Sequence, residues 1–231
     1  MLCFFRVQYT IKILQGTINF PKKRRFVHKK IKVMYNQSYR KSGKRMNSAA
    51  DDTSAAFGLA DSIKELMAHN TLEKITVTDI VRHAHLTRQT FYRHFRDKYD
   101  LVNWYFDILA RQCFDEMGVT LTLREGLVLK FNFIRREKVF FAQAFRSTDY
   151  NSIEQHDYQF ILQFYTNIIE KQTHKPLNED LRFVLELYCH GSISMTVEWA
   201  VSGMEKSPES LADDLIAALP SKLAAILIPA L

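Results

Sequence analysis

The stretch KITVTDIVRHAHLTRQTFYRHFRDK, Lys74 to Lys98, decides how this chain folds and what it touches. Thr76 is placed to cap a helix: its hydroxyl suits the backbone N–H of Asp79, and the Asp79 carboxylate suits the positive helix end. Val77, Ile80, Val81 and Ala84 then form one inner face before the pattern stops near His83 or Ala84. Thr87 opens a second short helix in the same way, with Thr90, Phe91, His94 and Phe95 at helical spacing. Its first turn, Thr87, Arg88, Gln89 and Thr90, is polar, while Phe91 and Phe95 give it an apolar back. Two short helices about a tight turn, after a longer apolar-periodic helix over 55–69, predict a tri-helical unit.

Such a front turn suits the major groove of DNA. Arg can fork onto guanine, Gln can pair with adenine, and a Thr methyl can touch thymine. Tyr92 and Lys98 add a hydroxyl and an ammonium at phosphate height. The same run resembles the tetracycline-repressor family. The shared pattern is Ile75-Thr76-Val77, then Ala84-His85-Leu86-Thr87, Thr90-Phe91-Tyr92-Arg93-His94-Phe95, Lys98 and Leu101. The resemblance implies that Thr76, Thr87, Thr90, Tyr92 and Lys98 touch phosphates and that Arg88 and Gln89 read bases. His94 joins this candidate DNA-binding set, although its place also suits packing. One departure is His85, where the family usually carries Gly; a left-handed turn residue is tolerated less well by His. His83, His85 and His94 have no Cys or carboxylate at ligand spacing, so no metal is expected.

Upstream, the chain changes character. Thirteen of its 32 Lys and Arg residues, and none of its 25 Asp and Glu, lie in residues 1–45; positions 46–231 keep 19 basic against 25 acidic residues, a net −6. The formal +7 therefore belongs to the tail. One reading is a disordered basic arm that neutralises phosphates. The other is an upstream mis-start, because Gly43-Lys44-Arg45 can be encoded by purines alone, as a ribosome-binding site would be, directly before Met46. Asn47 to Ser54, small and polar, reads as a flexible lead-in, with Thr53 or Ser54 as the cap of the helix that follows from Ala55.

Downstream, helices are expected at about 98–118, 121–136, 138–147, 152–173, 179–203 and 208–227, with no period-two alternation. The expectation is an all-α protein of about nine helices: tail 1–45, helix-turn-helix domain 46–98, and a helical ligand-binding and dimerisation domain 99–231. Gly191-Ser192-Ile193-Ser194-Met195 to Trp199-Ala200-Val201-Ser202-Gly203-Met204, then Ser207-Pro208-Glu209, resembles one subgroup of the family, the low-GC Gram-positive regulators of dihydroxyacetone-kinase operons. Small residues permit close helix approach and a large indole anchors interfaces, so Gly191, Met195, Trp199, Leu215 and Leu219 are the expected dimer contacts.

The body is rich in aromatics, such as Phe131, Phe140, Phe141 and Tyr165, with Gln143, His156 and Gln163 among them; core and ligand pocket both fit. Three scattered cysteines, Cys3, Cys113 and Cys189, suit reduced thiols in the cytoplasm. No run is long and apolar enough for a membrane, and no nucleophile elbow, phosphate loop or HExxH frame suggests an enzyme or cofactor. The expected partners are a double-stranded DNA operator, a second copy of the chain, and a small-molecule effector. The expected role is a homodimeric repressor. The alternative is an activator or co-regulator whose body docks a partner protein.

Overall fold

In the computed structural model, residues 46–149 and 151–230 are described. The expectations for the 1–45 tail lie outside the described residues. From Ser54 onward the described residues form one compact unit. Ten helices are described: α1 (Met46–Met67), α2 (Val77–His83), α3 (Arg88–His94), α4 (Lys98–Phe114), α5 (Leu123–Arg136), α6 (Lys138–Ala144), α7 (Ile153–Thr173), α8 (Glu179–Val201), α9 (Pro208–Ala217) and α10 (Ser221–Ala230). No strand occurs among the described residues, and none of their helices is long and apolar enough to cross a membrane.

Two boundaries differ from those expected. The polar lead-in is helical: α1 begins at Met46, so Thr53 and Ser54 lie inside it and do not cap it. Four alanines between positions 49 and 56 favour helix strongly enough to extend the first element through the polar residues. The last expected helix, 208–227, is two helices. Pro220 lacks an N–H and disfavours a helical residue before it, so α9 stops at Ala217 and α10 restarts on the Pro220 carbonyl, which accepts from Leu223 and Ala224 at 2.9 Å.

The first three helices close around one apolar knot. Phe57, Leu59, Ile63 and Met67 of α1, Ile80 and Val81 of α2, and Phe91 of α3 are buried. Each such side chain contributes about 1.5–3 kcal/mol when fully removed from water. Phe91 packs on Phe95, and Trp104 of α4 sits edge-on to both Phe57 and Phe95, with ring centroids at 5.1 and 5.4 Å. The buried Ser62 hydroxyl donates to the Ile80 carbonyl at 2.8 Å, tying α1 to α2. α4 thus belongs to the head at its first turns and continues into the body.

In the body, α9 lies along α5 and α8 along α7, with α4 against both α5 and α7 and α10 against α7 and α8. Arg124 grips Asp213 with two hydrogen bonds, 2.6 and 2.9 Å, across α5 and α9. At the centre, the Lys130 ammonium meets both oxygens of Asp157 at 2.9 and 2.7 Å, the two side chains being 6% and 0% exposed. Burial pushes the Asp157 carboxyl up, while Lys130 opposes that shift. Geometry this close favours the ionised pair over two neutral groups. The polar residues singled out among the aromatics lie outside this pair: His156 bonds Asp107 at 2.7 Å and Gln163 bonds Asn167 at 2.7 Å.

Candidate nucleic-acid interface

The helix-turn-helix is held by its caps. The Thr76 hydroxyl accepts from the Asp79 N–H at 3.2 Å, and the Asp79 carboxylate accepts from both the Thr76 N–H (3.0 Å) and its hydroxyl (2.6 Å). Those bonds, the hydroxyl first, hold the Asp79 carboxyl below its ordinary value. Thr87 caps α3 by accepting from the Thr90 N–H at 3.0 Å, and the two hydroxyl oxygens lie 2.9 Å apart. Between the helices, His85 has φ 54°, the left-handed conformation for which glycine is the usual residue. Its N–H reaches the Arg82 carbonyl and that of Leu86 reaches Val81, so the backbone turn is closed despite the side chain.

The polar face of α3 points outward. Thr76, Thr87, Arg88, Gln89 and Tyr92 are exposed and Thr90 is half-buried. Tyr92 keeps 51% of its surface accessible although its ring edge touches Phe91. Arg88 lies against this tyrosine. One guanidinium nitrogen donates to the Tyr92 hydroxyl (3.3 Å) and another to the Thr78 hydroxyl of α2 (3.4 Å), with the cation 5.8 Å from the Tyr92 ring centre. Lys74 and Arg82 are exposed as well.

Two expected contacts sit differently. His94 is half-buried with its ring tilted against Phe95 at 5.9 Å, a packing position at the far end of α3. Lys98 turns its ammonium inward: it donates to the carbonyls of Leu72, Glu73 and Ile75 at 2.7, 2.8 and 2.9 Å, using all three protons to close the 3-10 turn Leu72–Lys74. Burial lowers its pKa, against the pull of Glu73, Asp149 and Asp97. In this structure the ammonium that the resemblance sets at a phosphate holds the loop before α2. Thr78, which the sequence pattern does not single out, joins the site through Arg88. It stands two residues after the Thr76 cap, but the crossing of α2 and α3 that brings it to Arg88 leaves no mark in the sequence.

The expected dimer residues divide in the same way. Trp199, Leu215 and Leu219 are packed inside the chain: the Trp199 indole donates to the Lys206 carbonyl at 2.8 Å and its ring lies 5.7 Å from Phe131. Gly191 and Met195 are exposed, and they fall on a four-residue row of α8 with Phe183 and Leu187.

Comparison with known proteins fits this geometry. The family profile described as bacterial regulatory proteins, tetR family, matches residues 59–103, and that described as transcriptional regulator C-terminal region matches residues 122–220. The chain belongs to the TetR family. The first TetR match covers α2, α3 and most of the apolar part of α1 and reaches into α4; the second covers the body from the cap of α5 to Pro220.

A TetR-family relative, the HTH-type dhaKLM operon transcriptional activator DhaS of Lactococcus lactis subsp. lactis (strain IL1403), is 25% identical over 113 residues. The match spans 49% of this chain and 57% of that relative, just over half of its length. A solved structure of a dihydroxyacetone kinase operon activator DhaS shares the fold, with a TM-score of 0.56 and 19% identity over 75% of this chain and 98% of that one. The TetR family repressor AlkX from Dietzia sp. strain DQ12-45-1b covers 74% of this chain and 98% of its own at 13% identity and a TM-score of 0.47.

Proposed function

We propose that this TetR-family chain is a homodimeric, sequence-specific DNA-binding transcriptional regulator of the cytoplasm, with residues 46–98 as its head and residues from 99 onward as its regulatory body. The observation that carries the reading is the outward polar turn of α3, with Arg88, Gln89 and Thr90 set on a scaffold fixed by Phe91 and Phe95. Thr87 and Tyr92 supply hydroxyls at phosphate height, Thr76, whose one hydroxyl proton goes to Asp79, stands beside them as the cap of α2, and Arg88 and Gln89 are the base readers. The tyrosine oxygen can accept from Arg88 and still donate its own proton to a phosphate.

The second copy docks on α8. Phe183, Leu187 and Met195 are 69%, 62% and 50% exposed and share one row with Gly191, where no atom lies within 4 Å of the place a side chain would fill. A large apolar row on an outer helix, with a small residue at its middle, suits a two-fold helix pair in which each copy meets its own counterpart. Two heads held by one such seam read two half-sites of a palindromic operator.

Repression relieved by a small molecule is the leading sign of regulation. A second reading, activation with the body docked to a partner protein, is favoured by the likeness to the DhaS activator. Space in the body favours neither mode: the gap lined by Phe114, Lys130, Phe131, Tyr165 and Tyr188 holds about 20 Å³, room for one water, while a half-open cleft beside Phe145, Asp149, Gln155, Tyr158 and His190 holds about 310 Å³, room for a small molecule. A mobility shift on DNA upstream of the gene tests the core reading. A saturable, salt-sensitive complex with a discrete site is expected; binding that ignores sequence refutes it. Thermal shift with metabolites, set against capture of a purified candidate partner, separates the two modes of control.

A further inference from the structure

The operator-reading face carries more detail than the family pattern requires. Arg88 is the first residue of α3, exposed and without an acidic partner among the described residues, and its guanidinium is bonded on two sides. Thr78 of α2 and Tyr92, one turn along α3, each accept one N–H from a different terminal nitrogen, and the Tyr92 ring lies beneath the cation. A guanidinium has five N–H donors, so three remain for a ligand after both bonds are made. A lone exposed arginine loses most of its rotamer freedom when it docks; one already held in place loses far less.

On the reading that α3 enters the major groove, we propose that Thr78 and Tyr92 form a clamp that presets Arg88 as a fork for guanine, so that each half-site of the operator carries a guanine under Arg88. The acceptor pair N7 and O6 of guanine is the base edge that a planar double donor matches; adenine offers N7 beside a donor and repels the second N–H. Thr78 acts as a positioning residue: it touches Arg88 and sets the angle of the fork. Tyr92 does the same from the other side, which gives its hydroxyl a second role beside any phosphate it meets. Three residues from two helices must coincide for this, and each stands within two turns of a capped helix start.

Selection of bound duplexes from a random library by the full chain gives the half-site, with guanine expected at one position in each half. Replacing that guanine by adenine is expected to weaken binding about tenfold or more, and 7-deazaguanine, which lacks the N7 acceptor, weakens it in the same sense. In Thr78→Val and in Tyr92→Phe the guanine-to-adenine affinity ratio drops several-fold. Thr78→Ser, which restores the hydroxyl, recovers it. Arg88→Lys keeps the charge and loses the fork, so its ratio falls toward one. Thermal unfolding of each variant reports whether the head is folded. An unchanged ratio in both Thr78→Val and Tyr92→Phe overturns the clamp. So does an Arg88→Lys protein that binds every sequence more weakly by the same factor with a shallower salt dependence, for that marks a phosphate contact. A library that yields no enriched sequence overturns the operator-binding reading beneath the proposal instead.

Discussion

Replacing His85 by glycine is expected to stabilise the protein, although it removes a whole side chain. His85 holds φ 54° in the turn between α2 and α3. An L-residue in that conformation is raised by roughly 1–2 kcal/mol by the approach of its Cβ to the following carbonyl oxygen. Glycine relieves this and loses about 0.4–1 kcal/mol through the greater freedom of its unfolded chain. The imidazole is exposed and the turn is closed by main-chain bonds from His85 to Arg82 and from Leu86 to Val81, so nothing else is lost. The balance is a gain of about 0.5–1 kcal/mol, or a Tm higher by roughly 1–4 °C for a unit of this size. Differential scanning calorimetry and urea unfolding both read it. His85→Ala keeps the Cβ and discards the ring, so it should gain nothing. A His85→Gly protein that melts lower than wild type refutes the argument from backbone strain and makes the imidazole a stabilising group; an alanine variant that gains as much as glycine refutes it too and makes the imidazole, not the backbone, the source of the cost.

Removing either half of the Lys130–Asp157 pair, as in Lys130→Met or Asp157→Leu, leaves a buried charge and should cost about 3–5 kcal/mol. The double variant should recover most of the loss in thermal unfolding, and a double variant as weak as the singles would show that packing, not charge, is responsible. Leu187→Asp in the middle of the exposed α8 row should turn a dimer into a monomer in light-scattering chromatography at micromolar concentration; an unchanged mass places the seam elsewhere. The thiols of Cys113 and Cys189 are buried, and burial pushes each up to about 12. A Cys3→Ser protein should therefore show no fast-reacting thiol with a disulfide reagent at pH 8 until it is unfolded. The depressed Asp79 carboxyl makes the α2 cap a contribution that is complete above the ordinary aspartate value of 3.8 and lost as the pH falls through its lower folded value. Asp79→Asn should flatten the stability profile below that pH, and identical acid limbs would contradict the capping role.

The head was the most legible part, because caps and apolar spacing within one short run specify it locally. Thr76, Thr87, Phe91 and Phe95 hold the places that their residue types suggest. What escaped is set between elements. Lys98 reads as a phosphate grip by its position after the motif, but three backbone carbonyls of a turn more than twenty residues earlier claim its protons. Trp199 and Leu215 have the size of interface anchors, and what covers them within the chain, with α9 along α5 and the Tyr188 hydroxyl on the Leu215 carbonyl, is set between elements. Two misses did leave a signal. Pro220 marks the break between α9 and α10, and Lys130 and Asp157 stand at inward steps of their helices, in line with Leu127, Phe131 and Ile134 and with Ile153, Ile161 and Tyr165.

The protein has two indoles, and they fall at its two working joints. Trp104 touches Phe57 of α1 and Phe95 just after α3, so any tilt of the head against α4 alters the field and the quenching around that ring. Trp199, bonded to Lys206 and lying on Phe131, belongs to the corner where α8 gives way to α9. Ultraviolet emission is thus a label-free gauge of signalling. With Trp199 replaced by phenylalanine, the remaining fluorophore follows the head alone, and a titration with operator or effector can be followed in the unlabelled protein by colour and lifetime.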